Sequence, residues 1–103
     1  MGYDLRPMSA SNSNLDSVLL ALRGEITAAD RDLIAAFSHR LQAASKIRAH
    51  KADCGYDFVD PERERQLLEE WRQANGGTIS DEALLELFET VLKLSKREAG
   101  RKD

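Results

Sequence analysis

Residues 15–51, LDSVLLALRGEITAADRDLIAAFSHRLQAASKIRAHK, decide the fold because they carry one helical pattern without interruption. Residues on the predicted inward face recur every three or four positions, which is the period of an α-helix. The stretch contains no proline, and Gly24 is its weakest helix former. We therefore predict a helix of about 37 residues, roughly 55 Å long, that begins near Asn14 or Asp16. Its inward face consists of Leu15, Leu19, Leu22, Ile26, Ala29, Leu33, Phe37, Arg40, Ala44, Ile47 and Lys51.

Two shorter helices follow, and each has a clear start signal. Asp60 is a good N-cap and Pro61 suits the first helical position. Ser80 precedes two acidic residues, which favour the positive end of a helix dipole. We predict lengths of about 15 and 20 residues, roughly 22 and 30 Å. The inward faces consist of Glu64, Leu67, Leu68 and Trp71 in the first of these helices, and of Leu84, Leu87, Phe88, Val91, Leu92 and Ser95 in the second.

The predicted fold class is all-α, because no segment shows the alternation of apolar and polar residues that is typical of a strand. Residues 14–99 form the predicted helical domain. The polar, aperiodic residues 1–13 are expected to be a flexible N-terminal tail, and residues 100–103 a C-terminal tail.

The helix lengths predict a dimer. Two short helices in one chain are too short to cover both halves of the long one. The uncovered half would expose a stripe that includes Leu19, Leu22 and Ile26. A two-fold homodimer with antiparallel long helices, intertwined around each other, would bury this stripe.

Composition excludes several classes of function. A net charge of −3 and a pI of about 5.4 give no reason to expect nucleic acid or a membrane surface as a partner. No apolar run approaches the roughly 20 residues of a membrane span. The one cysteine, Cys54, suits the reducing cytoplasm, and its spacing from His39 and His50 does not suit zinc, so no metal site is expected.

Charged residues occupy inward positions of the predicted helices. Arg40, Lys51 and Glu64 all do so, with Asp60 and Arg63 close by in sequence. These side chains could reach solvent or pair with one another across the bundle. Alternatively, they form a polar pocket in an apolar bundle, suited to a small anion. Arg23 is about 25 Å along the helix from Arg40, so it could share such a pocket only across the antiparallel dimer.

Three segments together resemble the all-helical chorismate mutases. They are LLALRGEITAADRDLIAAFSHR at 19–40 followed by Lys51, DPERERQLLEE at 60–70, and LLELFETVLKLS at 84–95. The resemblance implies a homodimer of three-helix subunits that converts chorismate to prephenate by a Claisen rearrangement. It implies no cofactor and no metal.

The resemblance also implies the role of each residue at the site. Arg40 and the partner subunit's Arg23 would grip the two carboxylates of the substrate. Lys51 would donate to the ether oxygen. The substrate-binding set would be Arg23, Arg40, Lys51, Asp60, Arg63, Glu64 and Ser95, in which Glu64 and the backbone of Asp60 hold the ring hydroxyl, while Arg63 and Ser95 serve the carboxylates.

The chain departs from the family pattern near its C-terminus. Ala99 stands where the family has a glutamine or glutamate that makes a second contact to the ether oxygen. We expect Glu98 to substitute for it, so the predicted catalytic residues are Arg40, Lys51, Glu64 and Glu98. Three alternatives remain open: a mutase of 4-amino-4-deoxychorismate, an isochorismate-pyruvate lyase, and a non-catalytic helical dimerisation module whose buried charges fix register.

Overall fold

The computed structural model describes residues 16–101, which form three α-helices: α1 (Ser17–Cys54), α2 (Pro61–Ala74) and α3 (Asp81–Ala99). None of residues 16–101 lies in a β-strand. The all-α class, with one long helix and two short ones, is confirmed. The expected tail at 1–13 lies outside the described residues, as do positions 14–15 and 102–103.

Side-chain caps begin all three helices where the sequence predicts. The Asp16 carboxylate accepts the backbone N–H of Val18 at 2.8 Å at the start of α1. The Asp60 carboxylate accepts the N–H of Arg63 at 3.1 Å at the start of α2. For α3, the hydroxyl of Ser80 accepts a backbone N–H one turn ahead at 3.2 Å. Each cap satisfies a backbone donor that has no partner within its own helix.

The end of α1 is fixed by a Schellman motif. Gly55 has a φ of 73°, a left-handed conformation in which a side chain would be strained. The N–H of Tyr56 donates to the carbonyl of Lys51 at 2.9 Å, and the N–H of Gly55 donates to that of Ala52 at 3.3 Å. This motif ends α1 within one turn of Lys51 and turns the chain towards α2.

The chain divides after Phe37 into two units. In the first, residues 16–37 are the N-terminal part of α1, and no side chain among them is buried. Leu22, Ile26 and Leu33 are 48%, 61% and 65% exposed. This part of the apolar stripe is therefore open in one chain, as the helix lengths predict. The antiparallel dimer that would cover it stays a prediction.

The second unit contains the rest of α1 with α2 and α3, and its core lies where α2 and α3 meet. Leu84 and Phe88 are buried, and the ring of Phe88 meets that of Trp71 edge-to-face with centroids 5.1 Å apart. Such a pair contributes about 0.5–1.5 kcal/mol beyond its buried area. Leu87, predicted to face inward, is 44% exposed, because the buried line along α3 runs through Leu84, Phe88 and Ser95.

Candidate functional site

A pocket of about 180 Å³ lies within the second unit, with walls from all three helices and the α1–α2 loop. Its wall holds more basic than acidic side chains. The acidic ones are Asp60 and Glu64, and the basic ones are Arg40, Arg48, Lys51, Arg63 and Lys96. The other residues of the wall are apolar, apart from Ser95. The pocket is thus cationic in a chain whose net charge is −3, which suits a small anionic ligand.

Arg40 is held in the pocket by a serine on the facing helix. Its Nη1 donates to the hydroxyl oxygen of Ser95 at 2.7 Å. Ser95 is only 5% exposed, and its hydroxyl in turn donates to the carbonyl of Val91 at 2.6 Å. The chain of two hydrogen bonds fixes the guanidinium between α1 and α3. Two residues of the predicted substrate-binding set, Arg40 and Ser95, therefore lie together at this pocket.

Lys51 lies in the last turn of α1 and faces the same pocket. Its Nζ donates to the carbonyl oxygen of Phe58, in the α1–α2 loop, at 3.3 Å. The guanidinium of Arg48 lies 4.3 Å from the centre of the Phe58 ring, within cation–π range. Sequence reasoning missed Arg48 and Phe58. Arg48 could have been found, because it lies four residues after Ala44 and three before Lys51. This helical spacing places it next to residues of the predicted inward face.

Glu64 is paired across the pocket wall with a residue that the sequence did not single out as a ligand. Its Oε2 lies 2.9 Å from Nζ of Lys96 on α3. Glu64 thus pairs with Lys96 rather than with Arg40 or Lys51, the partners considered from the sequence. Two other predicted residues also line the wall: Asp60, which caps α2, and Arg63, whose Nη1 lies 3.4 Å from the Glu70 carboxylate.

Glu98 is not brought into the pocket, contrary to the expectation from the sequence. Its carboxylate bonds Nε of Arg97 at 3.2 Å and Nη1 of Arg101 at 2.9 Å, whereas Ala99 lines the wall. At about 100° per residue, Ala99 lies about 40° from Ser95 on the side of Lys96, which also lines the wall, whereas Glu98 lies about 60° from Ser95 on the opposite side.

Arg23 lies on α1 in the first unit, and it is not among the residues that line the pocket. Its expected contribution from a second chain stays a prediction.

Two further findings bear on the chemistry. Among residues 16–101, no group of three or more histidine, cysteine, aspartate or glutamate side chains could hold a metal ion. None of the helices in this range has the length and hydropathy of a membrane span. The residues that line the pocket offer hydrogen bonds and positive charge from guanidinium and ammonium groups, within an apolar wall.

Comparison with known proteins identifies a family. The family described as chorismate mutase type II matches residues 22–99. That range covers most of α1, all of α2 and α3, and every residue that lines the pocket. No individual curated protein and no solved structure matches the chain.

Proposed function

The chain belongs to the type II chorismate mutase family, and from this premise we propose that it converts chorismate to prephenate. The observation that carries the proposal is the cationic pocket in an acidic chain, with Arg40 fixed by Ser95 at 2.7 Å. Chorismate carries two carboxylates, a ring hydroxyl and an ether oxygen. A pocket of opposite charge with an apolar wall would bind such a dianion.

Arg40 is the proposed anchor for one carboxylate. The bond to Ser95 leaves the guanidinium with further N–H groups, which can grip a carboxylate in the bidentate geometry that arginine favours. Ser95 would also contact the carboxylates, and Arg63 would support that side. Holding both ends of the substrate favours the compressed conformer in which the new C–C bond can form, which is a proximity and orientation effect.

Lys51 is the proposed electrostatic catalyst. Negative charge grows on the ether oxygen as the C–O bond breaks, and an ammonium group beside it stabilises the transition state more than the ground state. The Nζ of Lys51 already donates to the Phe58 carbonyl. An ammonium has more than one N–H, so it can keep that bond and donate to the substrate. Since Ala99 has no polar side chain, Lys51 carries this role in the proposal.

Glu64 and the backbone of Asp60 are proposed to hold the ring hydroxyl. Glu64 would accept its hydrogen bond, which orients the ring opposite Arg40 and Lys51. None of these roles needs a nucleophile, a cofactor or a metal, because the rearrangement is intramolecular.

A homodimer is part of the proposal. The exposed apolar side chains of Leu22, Ile26 and Leu33 support it, since an antiparallel partner would cover them. The partner subunit's Arg23 would then complete the pocket and grip the second carboxylate. The cytoplasm is the proposed compartment, because Cys54 is a free, exposed thiol.

The test is incubation of the purified protein with chorismate, with the products identified by proton NMR and Arg40→Ala as the control for contaminating activity. Prephenate formed by the natural chain, and not by the variant, supports the proposal. Pyruvate release would point to the lyase reaction and call for isochorismate as substrate. Unchanged chorismate would contradict the proposal and make 4-amino-4-deoxychorismate the next substrate to try.

A helical dimerisation module is the alternative from a different class. Melting with and without a chorismate-like bicyclic dicarboxylate separates it from an enzyme, because a ligand that binds the native state raises the melting temperature. A shift that disappears in Arg40→Ala favours the enzyme. No shift at saturating ligand favours the module.

A further inference from the structure

The ammonium group of Lys96 lies beside Glu64, the carboxylate that is proposed to accept a hydrogen bond from the substrate's ring hydroxyl. Lys96 follows Ser95 on α3 and lines the pocket, and its Nζ lies 2.9 Å from Oε2 of Glu64. This ion pair joins α3 to α2 at the pocket wall. The Glu64 side chain is 32% exposed and that of Lys96 is 56% exposed, so the pair is only partly screened by solvent.

We propose that Lys96 makes the pocket selective for a neutral hydroxyl over a protonated amine at the ring position that contacts Glu64. The inference rests on the proposed function, because it assigns that ring position to Glu64. It makes Lys96 a residue that determines specificity between chorismate and its 4-amino analogue.

A hydroxyl and a protonated amine at this ring position differ in charge. A hydroxyl donates a hydrogen bond to Glu64 and brings no charge, so the ion pair with Lys96 can persist. An amine is protonated at neutral pH and brings a second ammonium against Lys96. The Glu64 carboxylate would then lie between two cations, and the repulsion between them opposes binding of the amine. Without Lys96, the Glu64 carboxylate would attract the amine.

The size of the effect follows from this partial exposure. Like charges a few ångströms apart repel strongly in a dry site and weakly in water, and Lys96, whose side chain is 56% exposed, lies nearer the second limit. We therefore expect Lys96→Met to shift the ratio of kcat/KM for chorismate to kcat/KM for the amino analogue by about fivefold towards the amine.

The experiment measures both kcat/KM values on the same preparation of each variant, so that loss of folded protein cancels in the ratio. Lys96→Met removes the charge and keeps an unbranched side chain, while Lys96→Arg keeps the charge. Lys93→Met is the matched control, since Lys93 lies on α3 one turn earlier and outside the pocket wall. The expected result is a natural chain that prefers chorismate, a shifted ratio in Lys96→Met, and an unshifted ratio in the other two.

Two outcomes overturn the inference alone: a natural chain that rearranges chorismate but prefers the amine, and a Lys96→Met ratio within about twofold of the natural one. If Lys96→Met is inactive with both substrates, Lys96→Gln is measured in its place under the same criterion. If the natural chain rearranges neither substrate, the proposed function fails and the inference fails with it.

Discussion

Replacing Arg40 with alanine should abolish most turnover and leave the fold intact. In the proposal, the side chain makes two parallel hydrogen bonds to a substrate carboxylate. A hydrogen bond to a charged group contributes about 1.5–3 kcal/mol, so two contribute about 3–6 kcal/mol. If Arg40 makes them in the transition state, their loss lowers kcat/KM by roughly 10²- to 10⁴-fold.

The structure indicates a small effect of the same change on stability. Arg40 is half-buried, and its described bond is to the hydroxyl of Ser95. Ser95 keeps its bond to the carbonyl of Val91 at 2.6 Å when Arg40 is removed, so no buried hydroxyl is left without a partner. We expect Arg40→Ala to lower the free energy of unfolding by about 1 kcal/mol.

The assay follows chorismate loss at several substrate concentrations, with urea unfolding monitored by circular dichroism. Arg72→Ala is the matched control, because Arg72 makes an exposed ion pair with Glu69 on α2, outside the pocket wall. It should retain the kcat/KM of the natural chain. An Arg40→Ala protein that is folded and within about tenfold of natural kcat/KM would refute the role given to this arginine.

Three further variants test the rest of the site. Ala99→Gln should raise kcat/KM for chorismate by roughly tenfold, because it adds an N–H donor to the wall near the proposed ether oxygen. Glu98→Gln should keep kcat/KM within about twofold and lower the free energy of unfolding by less than about 1 kcal/mol, since Glu98 is engaged by arginines outside the pocket. Equal mixing of Arg23→Ala and Arg40→Ala chains should restore about a quarter of natural activity, because half the dimers are mixed and each has one intact site.

Each of these variants has its own contrary result. A folded Ala99→Gln protein with reduced activity would show that the wall at this position does not meet the ether oxygen. A large loss of activity in Glu98→Gln would restore the catalytic role expected from the sequence. Mixed dimers that form, as shown by native mass spectrometry, but stay inactive would refute the shared site.

The helices were predictable because their determinants are local. Asp60 followed by Pro61, and Ser80 followed by acidic residues, fix the starts of α2 and α3, and the observed caps are these same side chains. Gly55 ends α1 through its left-handed backbone. Such signals act within one turn of helix, so the sequence contains them in full.

The site was predictable only in part, because contacts between helices depend on side-chain direction. Arg40, Lys51 and Glu64 were found from their positions on inward faces, and they line one pocket. Glu98 is three residues from Ser95, a spacing that suggests the same face, but the pocket lies on the other side of Ser95, towards Lys96 and Ala99. Lys96 was not assigned a role from the sequence, since its contact with Glu64 depends on how α2 and α3 approach each other.

The central claim is that the pocket lined by Arg40, Lys51 and Glu64 rearranges chorismate. The most direct measurement is a single-turnover reaction, with protein in molar excess over chorismate, followed by proton NMR beside a protein-free sample. This arrangement reveals even a slow catalyst, because all the substrate can be bound. Complete conversion to prephenate is expected well ahead of the protein-free sample. Chorismate that decays at the same rate with and without protein would contradict it.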